Sequence, residues 1–149
     1  MAYDRPLKAI LSEFFKKHFE VSRVDTEYGV LFKEVRIDVL ISNPKPKEDF
    51  PKDSWPWFIA TNFRRYILVE LKHIGSRANI KALVRLLLYK LVIAERFNCS
   101  YSDVMPVLIV SSIPRDFKSK VKNEFNVSLV GSKGLYKLVG SKILESLII

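Results

Sequence analysis

Two short apolar runs carry charged side chains in their interior, and this feature restricts the fold of the chain more than any other. In the run from Arg36 to Ile41, an aspartate, Asp38, interrupts apolar and β-branched residues. The run from Tyr66 to Lys72 contains Glu70 as well as its final lysine. Runs of this length and content are typical of inner strands buried on both faces of a sheet. Because side chains alternate along a strand, we expect Glu70 and Lys72 on one face and Leu71 on the other.

The rest of the chain alternates between helical periodicity and β-rich runs. Apolar residues recur every three or four positions from Pro6 to Phe19 and from Ala78 to Phe97, which predicts a first helix and a long central helix with Ser76 as its cap. Further helices are predicted over Pro114 to Phe125, which is basic, and at the end of the tail that runs from Gly131 to Ile149, as an amphipathic helix carrying Ile143, Leu144 and Leu147. Strands are predicted at Val21 to Asp25 and Val30 to Phe32, around a turn at Tyr28 and Gly29, and at Val35 to Ser42, Arg65 to Lys72, Val107 to Ser111 and Val127 to Val130.

The predicted order is helix, antiparallel strands, helix, strand, helix, strand, an α/β fold. It corresponds to a central mixed sheet of about five strands flanked by helices. A length of 149 residues fits one domain, 1–149. Residues 43–63 contain prolines at 44, 46, 51 and 56 and both tryptophans, so they are predicted to be a surface insertion without a helix or central strand. Its lysines and tryptophans suit either a nucleic-acid contact or packing of the loop onto its own domain.

The charge balance favours a polyanionic partner. Lysine and arginine total 25 against 16 acidic residues, a formal net charge of +9. Charge alone leaves nucleic acid, an anionic membrane surface and simple solubility open. The single cysteine, Cys99, excludes a disulfide within the chain and a structural zinc or iron–sulfur site built from its own thiolates. We also expect an intracellular, cytoplasmic protein, because the chain shows neither a signal-peptide core nor an apolar run of about 18 residues.

Carboxylates inside buried strands need a compensating charge, because burying an unpaired carboxylate is costly. A divalent cation is one solution. Asp38, Glu70 and a main-chain carbonyl are hard oxygen donors of the kind that Mg²⁺ binds, with water and a substrate phosphate completing its coordination. Lys72 could then orient the attacking water and stabilise developing negative charge. The alternative is that Asp38, Glu70 and Lys72 form a purely structural ion pair or lie at strand ends in solvent.

In Asp38 and in the sequence Glu70-Leu71-Lys72 the chain resembles the PD-(D/E)xK nuclease superfamily. The resemblance implies a restriction-endonuclease-like fold and hydrolysis of DNA phosphodiester bonds with Mg²⁺ or Mn²⁺. It also implies that Asp38, Glu70 and the Leu71 carbonyl hold the metal and that Lys72 is the catalytic lysine. Family members often add a glutamate from the first helix, for which Glu13 is the better candidate and Glu20 the second. Ile37 occupies the position of the proline in the family's name.

The RecB-type branch of this superfamily has Gln-x-x-x-Tyr on the helix after the Glu-x-Lys strand, where this chain has Arg85 and Tyr89. The row formed by Lys81, Arg85 and Tyr89 is predicted either to bind nucleic acid or to be a solvated helix face. Further phosphate-binding candidates are Arg64, Arg65 and the basic residues Arg115, Lys118, Lys120 and Lys122. We expect DNA as partner, a homodimer formed through the apolar tail 143–149, no membrane contact and no organic cofactor.

Two other functions remain open at this stage. One is a catalytically inactive nucleic-acid-binding protein of the same fold. The other is a basic interaction module without a nucleic-acid role. Metal binding and DNA retention at low salt distinguish the three possibilities.

Overall fold

A computed structural model describes residues 4–29, 36–47, 49–62, 64–72 and 75–149, with all of their side chains except those of residues 4–7, 27 and 36. The helices are α1 (Asp4–His18), α2 (Trp55–Thr61), α3 (Ile80–Arg96) and α4 (Phe117–Phe125). The strands are β1 (Phe19–Glu20), β2 (Arg23–Gly29), β3 (Arg36–Ser42), β4 (Lys45–Pro46), β5 (Tyr66–Leu71), β6 (Val104–Ile109), β7 (Ser128–Ser132), β8 (Leu135–Val139) and β9 (Ser146–Ile148).

The main sheet is mixed and contains seven strands in the order β2-β3-β5-β6-β9-β8-β7. The β3 strand is antiparallel to both of its neighbours, β2 and β5. The β6 strand is parallel to β5, and β9 is parallel to β6. The β8 strand is antiparallel to both of its neighbours, β9 and β7. The β1 and β4 strands form a separate pair. The predicted mixed α/β architecture with flanking helices is therefore confirmed, although the sheet is larger than the five strands expected.

The two faces of the sheet have separate cores, and this division positions the charged residues. Ile67 and Val69 of β5 pack with Phe15 of α1 on one face. Leu68 packs with Leu83 and other residues of α3 on the opposite face. Because Glu70 has the same strand parity as Leu68, it belongs to the α3 face, as alternation predicts.

The helix predicted for the end of the tail, carrying Ile143, Leu144 and Leu147, is wrong, because the tail forms the strands β8 and β9. Lys133 and Gly134 have φ values of 53° and 81°, so the chain reverses there and joins β7 to β8 in a hairpin. Leu147 and Ile148 are adjacent yet both 0% exposed. Adjacent residues can both be buried when a strand is covered on its two faces. A strand of this kind has a continuous apolar sequence, which periodicity alone does not distinguish from a helix.

The insertion contains a helix that the proline content did not predict. The Ser54 hydroxyl accepts a hydrogen bond from the Trp57 N–H at 3.4 Å, and Pro56 lies in the first turn of α2. A proline is tolerated there because the first N–H groups of a helix have no intrahelical partner. Ile59 is 1% exposed and anchors α2 in the core below α1.

Other boundaries also differ from the predictions. The β2 strand continues through Tyr28 and Gly29, where a turn was expected, and the predicted strand at 30–32 lies outside the described residues. The cap of α3 is Asn79 instead of Ser76, since the Asn79 side chain accepts a hydrogen bond from the Ala82 N–H at 2.8 Å. None of the helices in the described residues is long and apolar enough to cross a membrane.

The buried face of α3 differs in part from the stripe that the apolar periodicity predicts, which consists of Ile80, Leu83, Val84, Leu87, Leu88 and Leu91. Leu83 and Leu87 are buried as expected, but Val84 and Leu88 are 47% and 46% exposed. Their place in the core is taken by Leu86, Ile93 and, unexpectedly, Lys90, which is 0% exposed, among others.

Candidate functional site

Asp38 and Glu70 lie beside each other where the ladder between β3 and β5 ends. The paired residues of this antiparallel ladder run from Ser42–Tyr66 to Val39–Val69, and Asp38 and Glu70 are the next residues of the two strands. Here the carboxylates accept the backbone hydrogen bonds. The Asp38 N–H donates to Glu70 Oε1 at 3.2 Å, and the Leu71 N–H donates to Asp38 Oδ2 at 2.8 Å. The two acids that the sequence analysis selected thus meet at the end of the β3–β5 ladder.

The Leu71 backbone also faces this point. The Lys72 N–H donates to the Ile109 carbonyl of β6 at 2.9 Å, whereas the Leu71 N–H turns towards β3 and Asp38. The N–H and C=O of one strand residue point to the same side of the strand. The Leu71 carbonyl is therefore on the β3 side of β5, with the two carboxylates.

The residue that reaches this site from α1 is a lysine. Lys8 Nζ lies 3.1 Å from Asp38 Oδ1, and the two side chains are 12% and 18% exposed. No motif or spacing in the sequence marks Lys8, and only the packing of α1 beside the sheet brings it to Asp38. The protein itself therefore supplies the Asp38 carboxylate with a cationic partner.

The environment of Glu70 disfavours its charged form. Burial, and secondarily the charge of Asp38, raise the pKa of Glu70 from 4.5 to about 8, against the opposing effects of the Asp38 N–H, Lys72 and Arg85. Glu70 is consequently protonated at neutral pH when no cation is bound. Because Lys72 and Arg85 both affect the pKa of Glu70, these two cations are close enough to interact with its charge.

Tyr89 also lies within electrostatic range of Glu70 and Arg85. It is 6% exposed, and burial and the charge of Glu70 raise the pKa of its phenol. Arg85, one turn earlier on α3, opposes that shift, while its own side chain is exposed. We refer to Asp38, Glu70, Lys72, Arg85 and Tyr89 as the acid–base cluster. The α3 row is thus buried at Tyr89 and exposed at Arg85 and Lys81.

The structure does not bring every predicted residue to this cluster. Glu13 is 79% exposed and lies 3.9 Å from Lys16 on its own helix. Glu20 is exposed and pairs with Lys45 in the small sheet. Within the described residues, no three histidine, cysteine or acidic side chains converge on a point where they could hold a metal. The available donors are therefore two carboxylates and a main-chain carbonyl.

Arg64 and Arg65 lie at the opposite end of β5 from the acid–base cluster. At ~3.3 Å per residue, the six steps from Arg64 to Glu70 separate them by about 20 Å. Arg64 pairs with Glu145 at 2.8 Å, and the Arg65 guanidinium lies over the Tyr66 ring, 5.4 Å from its centroid. These contacts give both arginines positions apart from the two central carboxylates.

The chain was also compared with known proteins. Among solved structures, the crystal structure of a repair endonuclease from Pyrococcus abyssi aligns with it at a TM-score of 0.45 and 14% sequence identity, covering 83% of this chain and 43% of that one. This chain therefore spans less than half the length of that protein. No protein-family model and no curated protein sequence matches the chain.

Proposed function

We propose that this protein is a metal-dependent nuclease that hydrolyses DNA phosphodiester bonds, as its resemblance to the PD-(D/E)xK superfamily implies. The observation that carries the proposal is the meeting of Asp38 and Glu70 at the end of the β3–β5 ladder, with Lys72 and Arg85 in electrostatic range of Glu70. A purely structural acid pair would gain nothing from this arrangement, because burial and mutual repulsion both oppose ionisation of Glu70.

The donor set suits Mg²⁺ or Mn²⁺. Asp38, Glu70 and the Leu71 carbonyl supply hard oxygens, and the remaining positions would take water and phosphate oxygens. When bound, such a cation lowers the pKa of its water and neutralises charge on the phosphate. Glu13 is not part of this proposal, because its carboxylate is exposed on α1.

The remaining residues of the acid–base cluster have roles that follow from their charge. Lys72 would orient the attacking water and stabilise negative charge as it develops on the phosphate. Arg85 would bind a phosphate oxygen, since a guanidinium offers donors in a fixed fork. Tyr89 would position Arg85 and Glu70 through its buried ring. The net charge of +9 supports a polyanionic substrate, and a soluble intracellular homodimer acting on DNA is the setting we propose.

The test is metal-dependent cleavage of single-stranded, duplex and branched DNA by the wild type and by Asp38→Asn and Glu70→Gln. Both substitutions preserve side-chain size and remove a metal-binding charge, so we expect each to reduce the cleavage rate by about 10²-fold or more. Glu124→Gln is the matched control, because Glu124 is an exposed acid on α4. Cleavage by either site variant at the wild-type rate would refute the catalytic assignment.

A second candidate function is nucleic-acid binding without cleavage. It is favoured by the Lys8–Asp38 ion pair, which neutralises one of the two carboxylates without a metal. Calorimetry separates the candidates. Salt-sensitive DNA binding together with no measurable Mg²⁺ or Mn²⁺ binding would support the inactive protein over the nuclease.

A further inference from the structure

A groove of about 550 Å³ opens between the segment that leads into α3 and the start of α4. Its lining includes Arg77, Lys81, Pro114, Asp116 and Lys120. The wall at Arg77 is fixed to the chain beyond β6, because Arg77 forms a parallel bridge with Ser112 and the Ala78 N–H donates to the Ser112 carbonyl at 2.9 Å. The groove thus lies just past the carboxyl ends of the parallel strands β5 and β6, the usual place for ligand crevices in sheets of this kind.

The charge of the groove is positive and only partly compensated. Three cations, Arg77, Lys81 and Lys120, line it against one acid, Asp116. Asp116 is already paired with Lys120 at 3.2 Å. Within the described part of the chain, the side chains of Arg77 and Lys81 form neither an ion pair nor a hydrogen bond. Two neighbouring cations without acidic partners in a concave surface favour an anion as the occupant.

The groove and the acid–base cluster both have residues on one face of α3. Lys81 and Arg85 are four residues apart, which places them on the same helix face about 6 Å apart along the axis. Arg85 interacts with the charge of Glu70, whereas Lys81 lines the groove. A polyanionic chain that reaches the carboxylates therefore meets the groove one helical turn further on.

We propose that this groove binds the sugar–phosphate backbone of the DNA strand beside the phosphodiester that is presented to Asp38 and Glu70. This inference rests on the proposed function and adds a substrate-positioning surface to it. Arg77 can grip a phosphate through two guanidinium donors, and Lys81 supplies a second cation to the same strand. Pro114 and Ile80 provide apolar walls suited to deoxyribose.

The test compares Arg77→Ala/Lys81→Ala with the matched control Lys16→Ala/Lys17→Ala. The control removes the same charge from two exposed lysines of α1. Binding of a fluorescent single-stranded oligonucleotide is measured by anisotropy at several salt concentrations without divalent metal. Each phosphate contact contributes about 0.7 to the salt slope for single strands, so the groove variant should lose about 1.4. Its affinity should fall at least about tenfold at low salt, whereas the control should keep the wild-type slope.

A second measurement locates the contact on the DNA. One linkage at a time is replaced by a neutral methylphosphonate. At linkages that occupy the groove, the replacement should weaken binding by the wild type and leave binding by the groove variant unchanged. Thermal unfolding of both double variants establishes that they are folded.

The outcomes of the groove and nuclease tests are distinguishable. If the wild type cleaves DNA but the groove variant keeps the wild-type salt slope, the groove assignment is overturned and the nuclease proposal stands. If the wild type does not cleave but the groove variant loses slope, the groove is a nucleic-acid site of a non-cleaving protein. If the wild type does not bind the oligonucleotide, both proposals are overturned.

Discussion

Glu70 combines two properties that oppose each other. Its burial beside Asp38 destabilises the charged form, yet metal binding needs that form. The fold therefore keeps an acid whose charge is costly unless a cation is present. Residues with a shifted pKa beside a specific charged partner are typical of functional sites, where stability is sacrificed for chemistry.

The pH dependence of stability tests this account of Glu70. The folded protein holds the Glu70 proton between pH 4.5 and about 8, whereas the unfolded chain has lost it. Stability contributed by this group is therefore fully present below pH 4.5 and is lost as pH rises towards about 8. Because Glu70→Gln has no such proton, we expect it to exceed the wild type in free energy of unfolding by roughly 1–3 kcal/mol at alkaline pH, with little difference in acid.

The measurement is urea unfolding of the wild type and Glu70→Gln in metal-free buffer, once below pH 4.5 and once above about pH 8. Glu124→Gln, at an exposed position, should follow the wild type throughout. If the free energies of unfolding of Glu70→Gln and the wild type depend on pH in the same way, the raised pKa of Glu70 is contradicted.

A second prediction concerns Lys8. Its ammonium occupies a position next to Asp38 where the carboxylate would attract any cation. Replacing Lys8 by methionine removes the competing ammonium 3.1 Å from the carboxylate. We expect Lys8→Met to bind Mg²⁺ about three- to tenfold more tightly by calorimetry, because Mg²⁺ no longer has to displace the Lys8 ammonium from Asp38. The metal-free variant should unfold at a lower temperature, as the Asp38 charge is left unpaired.

Lys16→Met, on the exposed part of the same helix, is the comparison. If Lys8→Met binds Mg²⁺ more weakly than this control, then Lys8 assists the metal site and the competition is refuted.

Among the elements, α3 and the tail depend on each other. Lys90 of α3 donates to the carbonyls of Lys142 and Glu145 at 3.0 and 2.9 Å, just before β9. The β9 strand is inserted between β6 and β8 and so joins the two halves of the sheet. A single buried ammonium thus fastens the segment that positions an inner strand.

We predict that Lys90→Met lowers the free energy of unfolding by about 2–3 kcal/mol at neutral pH, because two buried carbonyls lose their donor. Burial lowers the pKa of Lys90 from 10.5 to about 8. The unfolded chain keeps this proton over that range and the folded chain does not, so wild-type stability rises with pH from about 8 to 10.5. The deficit of the variant should therefore widen above pH 8.

Urea unfolding with Lys122→Met, an exposed lysine of α4, provides the reference. A Lys90→Met protein as stable as this reference would show that the two carbonyls find other partners.

For the whole molecule, the structure changes the basis of the expected homodimer. The tail from 143 to 149 was predicted to supply the interface. Leu147 and Ile148 are 0% exposed inside the sheet, so of the tail's large apolar residues only those outside β9, such as Ile143 at 47% exposed, are available to a partner. The prediction of a dimer now depends mainly on substrate geometry. A chain of one-domain size presents one acid–base cluster, and two copies related by a twofold axis would present one to each strand of a duplex.

Sedimentation equilibrium checks this prediction. We expect a mass of twice the 17.3 kDa of one chain, with the proportion of dimer increasing with protein concentration and on addition of duplex DNA. A mass of 17.3 kDa under all of these conditions would rule out the dimer.

Local pattern was sufficient for much of the core. The first helix, the central helix and the strands that became β3, β5 and β6 are long or strongly periodic, so their own residues specify them. Asp38 and Glu70 were selected because charge inside an apolar strand is visible in the sequence itself. The same alternation rule placed Glu70 and Lys72 on one face of the strand, and the structure shows that α3 covers this face.

The remainder depended on contacts between distant residues. The tail has only three residues in β9, which becomes a strand because β6 and β8 accept it on both sides. Lys8 joins the site because α1 packs beside the sheet, and Glu13 is excluded because the same packing leaves it exposed. The groove between α3 and α4 exists only where two segments 30 or more residues apart meet. By itself the sequence determined which residues could not be ordinary core, since burial of charge is a local conflict. Which groups surround and compensate that charge was decided by tertiary structure, because partners are assigned by proximity in space.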